Sequence, residues 1–180
     1  MNSVNFLVNT LFDLYIMVII LRIWLQVARA DFYNPFSQFV VKATQPIVGP
    51  LRRVIPSLGG WDSAAILFAF AVACLKIVTL SLMVNATLNP MVIAISGLAI
   101  LLAAIFKLIF WVLVLRAILS WVSQGNNPIE AVMIQLSEPL LAPVRRFIPP
   151  MGGLDLSMIV VLVGLQFVEI LVNDLLSKLF

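Results

Sequence analysis

Pro46-Ile47-Val48-Gly49-Pro50-Leu51-Arg52-Arg53-Val54-Ile55-Pro56, followed by Gly59-Gly60-Trp61-Asp62, is met twice in this chain. The second occurrence is Pro139-Leu140-Leu141-Ala142-Pro143-Val144-Arg145-Arg146-Phe147-Ile148-Pro149, followed by Gly152-Gly153-Leu154-Asp155. Equivalent positions lie 93 apart, and extending the match back to Asn34-Pro35 and Asn127-Pro128 gives 11 identities in 29 ungapped positions. Those identities are an Asn, four Pro, two Arg, an Ile, two Gly and an Asp. Chance likeness between apolar segments would favour Leu, Ile and Val instead. The sequence therefore reads as an internal duplication, with repeat 1 over residues 1–90 and repeat 2 over residues 91–180.

Composition sets the solvent. Of the 180 residues 63% are hydrophobic and 11% charged, and the mean hydropathy is +1.14. A water-soluble domain carries about 25% charged residues, so the chain is expected to be an all-α membrane protein. Four stretches, 6–28, 64–84, 92–122 and 157–176, reach the roughly 20 apolar residues a helix needs to cross a bilayer. The first has no basic region before it and no small-residue cleavage site, and it contains Asp13 and Arg22, so it is read as a retained helix. Each repeat is then a span, a polar loop and a span. Two spans return the chain to its starting side, which makes the repeats parallel copies about an axis along the membrane normal.

Within each loop, Asn34-Pro35 and Asn127-Pro128 have the form of an N-cap followed by a first-turn proline. Phe36, Phe39, Val40 and Ala43 fall on one helical face, as do Ile129, Val132, Met133 and Leu136. A short one-sided helix of about ten residues lying in the membrane interface is predicted in each loop. Pro46, Pro50 and Pro56 in the first loop, and Pro139, Pro143 and Pro149 in the second, are expected to stop that helix and shape an irregular segment. Asp62 and Asp155 stand where the following span begins, as candidate caps.

Arg29, Lys42, Arg52, Arg53, Arg145 and Arg146 lie in the loops, against Lys178 alone on the other side, a six-to-one asymmetry. Arg22 and Arg116 lie close enough to snorkel to the loop face. The bias predicts cytoplasmic loops and both termini outside. Trp24, Tyr33, Trp61 and Trp121 suit an aromatic belt on the loop side. Arg52-Arg53 and Arg145-Arg146 read either as simple headgroup contacts or as a rigid platform for a cytoplasmic partner or a lipid head group.

The duplicated Pro-x-x-x-Pro-x-Arg-Arg-x-Ile-Pro-x-x-Gly-Gly-x-Asp, with Arg116-x-x-x-Ser120-Trp121 ahead of the second copy, resembles the YggT family, called YlmG in Gram-positive bacteria. The first copy departs from it: Arg22 lies one residue further from its Asn-Pro, and no Ser-Trp pair follows. The resemblance covers essentially the whole chain. It implies a small integral protein of the bacterial cytoplasmic membrane, whose relatives are associated with cell-division gene clusters, cytochrome assembly in plastids and osmotic tolerance. It brings no catalytic activity and no ligand residues.

Four charges sit inside the spans, at one depth. Asp13, Lys76, Lys107 and Glu169 each lie 14 or 15 residues from the loop-side end of their span, roughly 21 Å at 1.5 Å per residue. Positions 94 or 93 apart carry opposite signs: Asp13 answers Lys107, and Lys76 answers Glu169. Intramembrane charges usually face the bundle interior and pair. Pairing of Asp13 with Lys76 and of Lys107 with Glu169 is the structural reading; a polar pathway for ions or protons is the functional one.

The chain has no His and a single Cys, Cys74, which reads as packing. That leaves no zinc site, no His-ligated haem and no internal disulfide. Ser120, Ser123 and Ser157 have no base arranged beside them. No enzyme, cofactor, metal or nucleic-acid partner is expected. The leading expectation is a scaffold or assembly factor for a membrane complex, with membrane lipids, a membrane or cytoplasmic protein, or further copies of itself as partners. The alternative is a small ion channel or transporter in osmotic homeostasis.

Overall fold

A computed structural model describes residues 3–57, 60–122, 127–148 and 155–177. Among these the chain is all-helical, in the order α1 Ser3–Val27, α2 Pro35–Val54, α3 Ser63–Met83, α4 Pro90–Val122, α5 Pro128–Arg145 and α6 Leu156–Ser177. Four of the six, α1, α3, α4 and α6, are long and apolar enough to cross a membrane, as the composition requires of a multi-pass membrane protein. Their limits agree with the predicted spans to within a few residues.

The loop helices differ from the expectation. They run 20 and 18 residues, not about ten, and Pro46, Pro50, Pro139 and Pro143 lie inside them. These four prolines do not end the helix. The physical reason is their spacing of four. Pro46 and Pro50 free the carbonyls of Lys42 and Pro46, and all three residues lie on the exposed face of α2. In α5 Gln135, Pro139 and Pro143 line up on the exposed face in the same way. An interior proline costs most when the carbonyl it abandons is buried; here the residues that carry the abandoned carbonyls are exposed, so water or headgroups can reach them. Val40, Thr44 and Val48 hold the opposite, buried face of α2. Only Pro56 stands past its helix, its carbonyl accepting from Ser63 Oγ at 2.6 Å; Pro149 lies outside the described residues.

Caps are set as the sequence indicates. The Asn34 and Asn127 side chains accept from the amides of Phe36 and Ile129, both at 2.9 Å. Helix α1 ends with Arg29 in the left-handed region at φ 51°, and Ala30 N–H reaches back to Leu25 C=O at 2.9 Å, the double turn usually given to glycine.

α1 packs against α3, α3 against α4, and α1 and α4 also meet. α2 docks on α1 and α3, α5 on α4 and α6, and α2 touches α5. Ala65, Ala69 and Ala73 recur every fourth residue on α3 and are buried, so the α1 backbone can come close; without a hydrophobic drive in lipid, such close van der Waals packing holds helices together. Gly97 does the same for α4. A Cβ there would meet Cys74 Sγ at 2.8 Å. Among the described residues α6 packs mainly on α4 and α5, and 6% of its most apolar stretch is buried, against 22–28% in the other spans. One face of it is half-buried against the bundle and the rest is exposed.

Candidate functional site

Two polar nodes pin the loop helices to the spans. In the first, Arg22 projects from α1 toward α2 and is 3% exposed. Its Nη1 donates to Thr44 Oγ1 and its Nη2 to Gln45 Oε1, both at 2.7 Å. Arg52, near the end of α2, grips Asp62 through Nε, at 3.1 Å to each oxygen, and through Nη2. Arg22 Nε stands 3.7 Å from the same carboxylate. Asp62 is fully buried and also caps α3 by accepting from the Ala65 amide at 3.2 Å. One carboxylate thus ties α1, α2 and α3 together.

The second node uses α4, α5 and the start of α6. Arg116 Nη1 donates to Ser137 Oγ at 2.6 Å and its Nη2 to Glu138 Oε2 at 3.1 Å. Arg145 Nη1 grips the same Glu138 at 2.9 and 3.1 Å, while its Nε and Nη2 hold Asp155. Asp155 precedes α6 and also accepts from Ser157 Oγ.

Burial works to raise the Asp62 carboxyl, but the Arg52 hydrogen bonds, the Ala65 amide and the charges of Arg52 and Arg22 outweigh it, holding Asp62 below the usual carboxylate range. Asp155 is likewise depressed, with burial opposed by Arg145 and Ser157. The Asp155 hydrogen bond, less some desolvation, raises Arg145 further.

Two expectations change here. Arg22 and Arg116 do not snorkel to the surface: both are buried, because hydroxyl and amide or carboxylate partners await them on α2 and α5. The four loop arginines are not equivalent either. Arg52 and Arg145 are spent on Asp62 and Asp155, and only Arg53 and Arg146 stand exposed without such a grip, each followed by an exposed apolar residue, Val54 or Phe147. Sequence reading missed Thr44, Gln45, Ser137 and Glu138. A signal was available: each pair lies 93 apart and keeps its polar character without identity.

The intramembrane charges gather at a second site. Lys76 Nζ meets Asp13 Oδ1 at 2.6 Å, joining α3 to α1. Lys107 and Glu169 form no ion pair among the described residues, contrary to expectation: they line the cleft from α4 and α6 without closing on each other. All four charges nevertheless line one cleft of about 400 Å³, with Gln166 and the apolar Met17, Ile100 and Phe110. The cleft is open at its side, and Lys107 is exposed there. No group of three or more metal-ligating side chains occurs among the described residues.

A profile of the CCB3/YggT family matches residues 1–83 and 95–176. The chain belongs to that family. It is 58% identical over 182 residues to a Vibrio alginolyticus protein named only for its place in the proC 3′ region, covering 100% of this chain and 98% of the relative. It is 53% identical over 177 residues to the uncharacterised YggT protein of Escherichia coli K12, covering 98% and 93%. A Pseudomonas aeruginosa relative, also uncharacterised, is 36% identical over 97% of this chain and 90% of its own length. No solved structure matches.

Proposed function

We propose that this YggT-family protein is a non-enzymatic scaffold of the bacterial cytoplasmic membrane that holds another membrane protein, or a second copy of itself, against its charged cleft. The carrying observation is the pair Lys107 and Glu169. Both line a cleft inside the spans and neither has an ion partner among the described residues. An unpaired charge at such depth costs at least about 3 kcal/mol on insertion scales. A helix bringing its own polar group to the open side of the cleft removes that cost, and the uncovered surface of α6 gives it room. In this reading the chain is two parallel repeats with its loops in the cytoplasm and both termini outside. The 93-residue offset supports the repeats, as do the two family matches of nearly equal length, and the lysine and arginine bias supports the topology. Roles in division, complex assembly or osmotic tolerance follow from which protein is held.

A photo-crosslinking residue at Ala103 or Phe110, both lining the cleft, should capture a discrete membrane protein or a second copy in cells. Capture of lipid alone would refute the scaffold. A second reading, an ion or proton path, is favoured by acids and bases lining the same cleft. It requires flux through the purified protein in liposomes, lost in Lys107→Gln with Glu169→Gln.

A further inference from the structure

The two arginine nodes share positions but not charge. The second holds two arginines and two carboxylates, Arg116, Arg145, Glu138 and Asp155. The first holds two arginines and one carboxylate, because Gln45 stands where the second has Glu138, 93 residues later. Glu138 bridges both arginines of its node, taking Nη2 of Arg116 and Nη1 of Arg145. Gln45 accepts from Arg22 only. Arg52 Nη1, counterpart of the Arg145 atom that Glu138 occupies, donates to nothing among the described residues, although the Arg52 side chain is 39% exposed. The Gln45 amide nitrogen is likewise unused, and its oxygen is turned to Arg22. Gly49 beside it has no side chain to crowd that amide, where a Cβ would lie 3.4 Å from Gln45 Nε2. Two unbonded donors and one excess positive charge remain where the second node carries its own anion.

A second feature shares chain segments with the first node. A hollow of about 210 Å³ between α1 and α4 is lined almost wholly by apolar groups, among them Ile23, Trp24, Val27, Trp61, Ile105 and Leu108. Its rim residues Val27 and Trp61 are chain neighbours of Gln26 and Asp62, and both of those are bonded to Arg52. We propose that the first node binds the phosphate of an anionic phospholipid through Arg52 and Gln45, with an acyl chain in the Trp24–Trp61 hollow, and that Glu138 is the built-in substitute for that phosphate in the second node. A guanidinium and an amide suit a phosphate oxygen. The lipid is the one source that would use both the donors and the hollow, and the inorganic phosphate arm of the test separates it from the free ion.

The test uses the full chain in detergent, with phosphatidylglycerol, phosphatidylcholine and inorganic phosphate as probes. Native mass spectrometry should find phosphatidylglycerol retained about fivefold over phosphatidylcholine, the scale of one basic contact at a membrane surface. Gln45→Glu supplies the missing carboxylate and should abolish that preference while leaving the lipid-free melting temperature unchanged or higher. Glu138→Gln should bind one further phosphatidylglycerol. Equal retention of the two lipids, or an undiminished preference in Gln45→Glu, overturns the site. Stabilisation by inorganic phosphate as strong as by the lipid overturns the lipid assignment. If Glu138→Gln fails to fold, Gln45→Glu alone decides.

Discussion

Removing either partner of the Asp13–Lys76 pair should destabilise the bundle, and not equally. The pair is short, 2.6 Å, but its members are unequally covered, with 8% of the Lys76 side chain exposed and 31% of Asp13. Asp13→Ala strands an ammonium that is almost covered, and breaking a buried pair from one side costs about 3–5 kcal/mol. Lys76→Ala strands a carboxylate that faces the 400 Å³ cleft, where water or a cation can reach it, so its cost should fall at or below the lower end of that range. Asp13→Ala with Lys76→Ala removes both charges and should recover most of the loss. The same cycle on Lys107 and Glu169, which share the cleft without an ion pair, should be additive to within about 0.5 kcal/mol. The assay is thermal unfolding of the purified protein in one detergent, followed by the loss of monodisperse material on heating. Additivity in the Asp13–Lys76 cycle would refute the pairing. Strong coupling between Lys107 and Glu169 would show that α6 closes onto α4.

Four further outcomes are expected. Both Asp62 and Asp155 titrate below the usual carboxylate range when folded, so the unfolded chain takes up protons first on acidification. The stability they contribute is complete above the unfolded value of about 4 and is lost as pH falls through the folded values; Asp62→Asn should flatten that acid loss in detergent-unfolding curves. Gly97→Leu should lower thermal stability sharply, about 1–3 kcal/mol for overpacking, because even a Cβ meets Cys74 Sγ at 2.8 Å, and co-substitution of Cys74→Ala should recover part of it. Arg52→Gln and Arg145→Gln should destabilise the protein by leaving Asp62 and Asp155 ungripped, whereas Arg53→Gln and Arg146→Gln should leave the melting temperature unchanged and weaken only membrane or partner engagement; equal melting losses from both sets would refute the division of labour. A C-terminal alkaline phosphatase fusion should be active, since both termini are expected outside; an inactive fusion with a fluorescent C-terminal reporter would invert the topology.

How much of this was legible depended on whether a residue acts through its own backbone or through distant partners. Spans, N-caps and the Asp62 cap follow from local rules, because a run of apolar residues, an Asn before a Pro or an Asp before a span needs no knowledge of its neighbours. The prolines misled for the same local reason. A proline is read as a helix breaker from its missing donor and its ring, but the penalty depends on where the abandoned carbonyl points. Pro46, Pro50 and the residues whose carbonyls they abandon are exposed, and that exposure belongs to the docking of α2, not to the proline. The arginine nodes were invisible in a stronger sense. Arg22 is 22 and 23 residues from Thr44 and Gln45, and nothing local announces a partner at that separation. For the intramembrane charges, depth along the helix was readable and rotation about it was not, so the four were placed at one level while only one of the two pairs forms within reach.

The identities and the differences between positions 93 apart carry separate information. Asn, Pro, Arg and Asp recur unchanged where backbone geometry is set: the caps, the proline face, and the Arg52–Asp62 and Arg145–Asp155 grips. Charge changes where geometry is already secured. Gln45 answers Glu138, Asp13 answers Lys107, and Lys76 answers Glu169. A purely architectural protein would gain nothing from changing these, since two matched nodes and two matched pairs would be as sound a frame. Among the described residues the first half keeps an unfilled arginine donor where the second has Glu138, and Lys107 and Glu169 line the cleft without an ion pair. The unpaired charges are a cost at that depth; in the readings proposed above, a polar group brought to the cleft removes that cost and an anion takes up the free donors at Arg52.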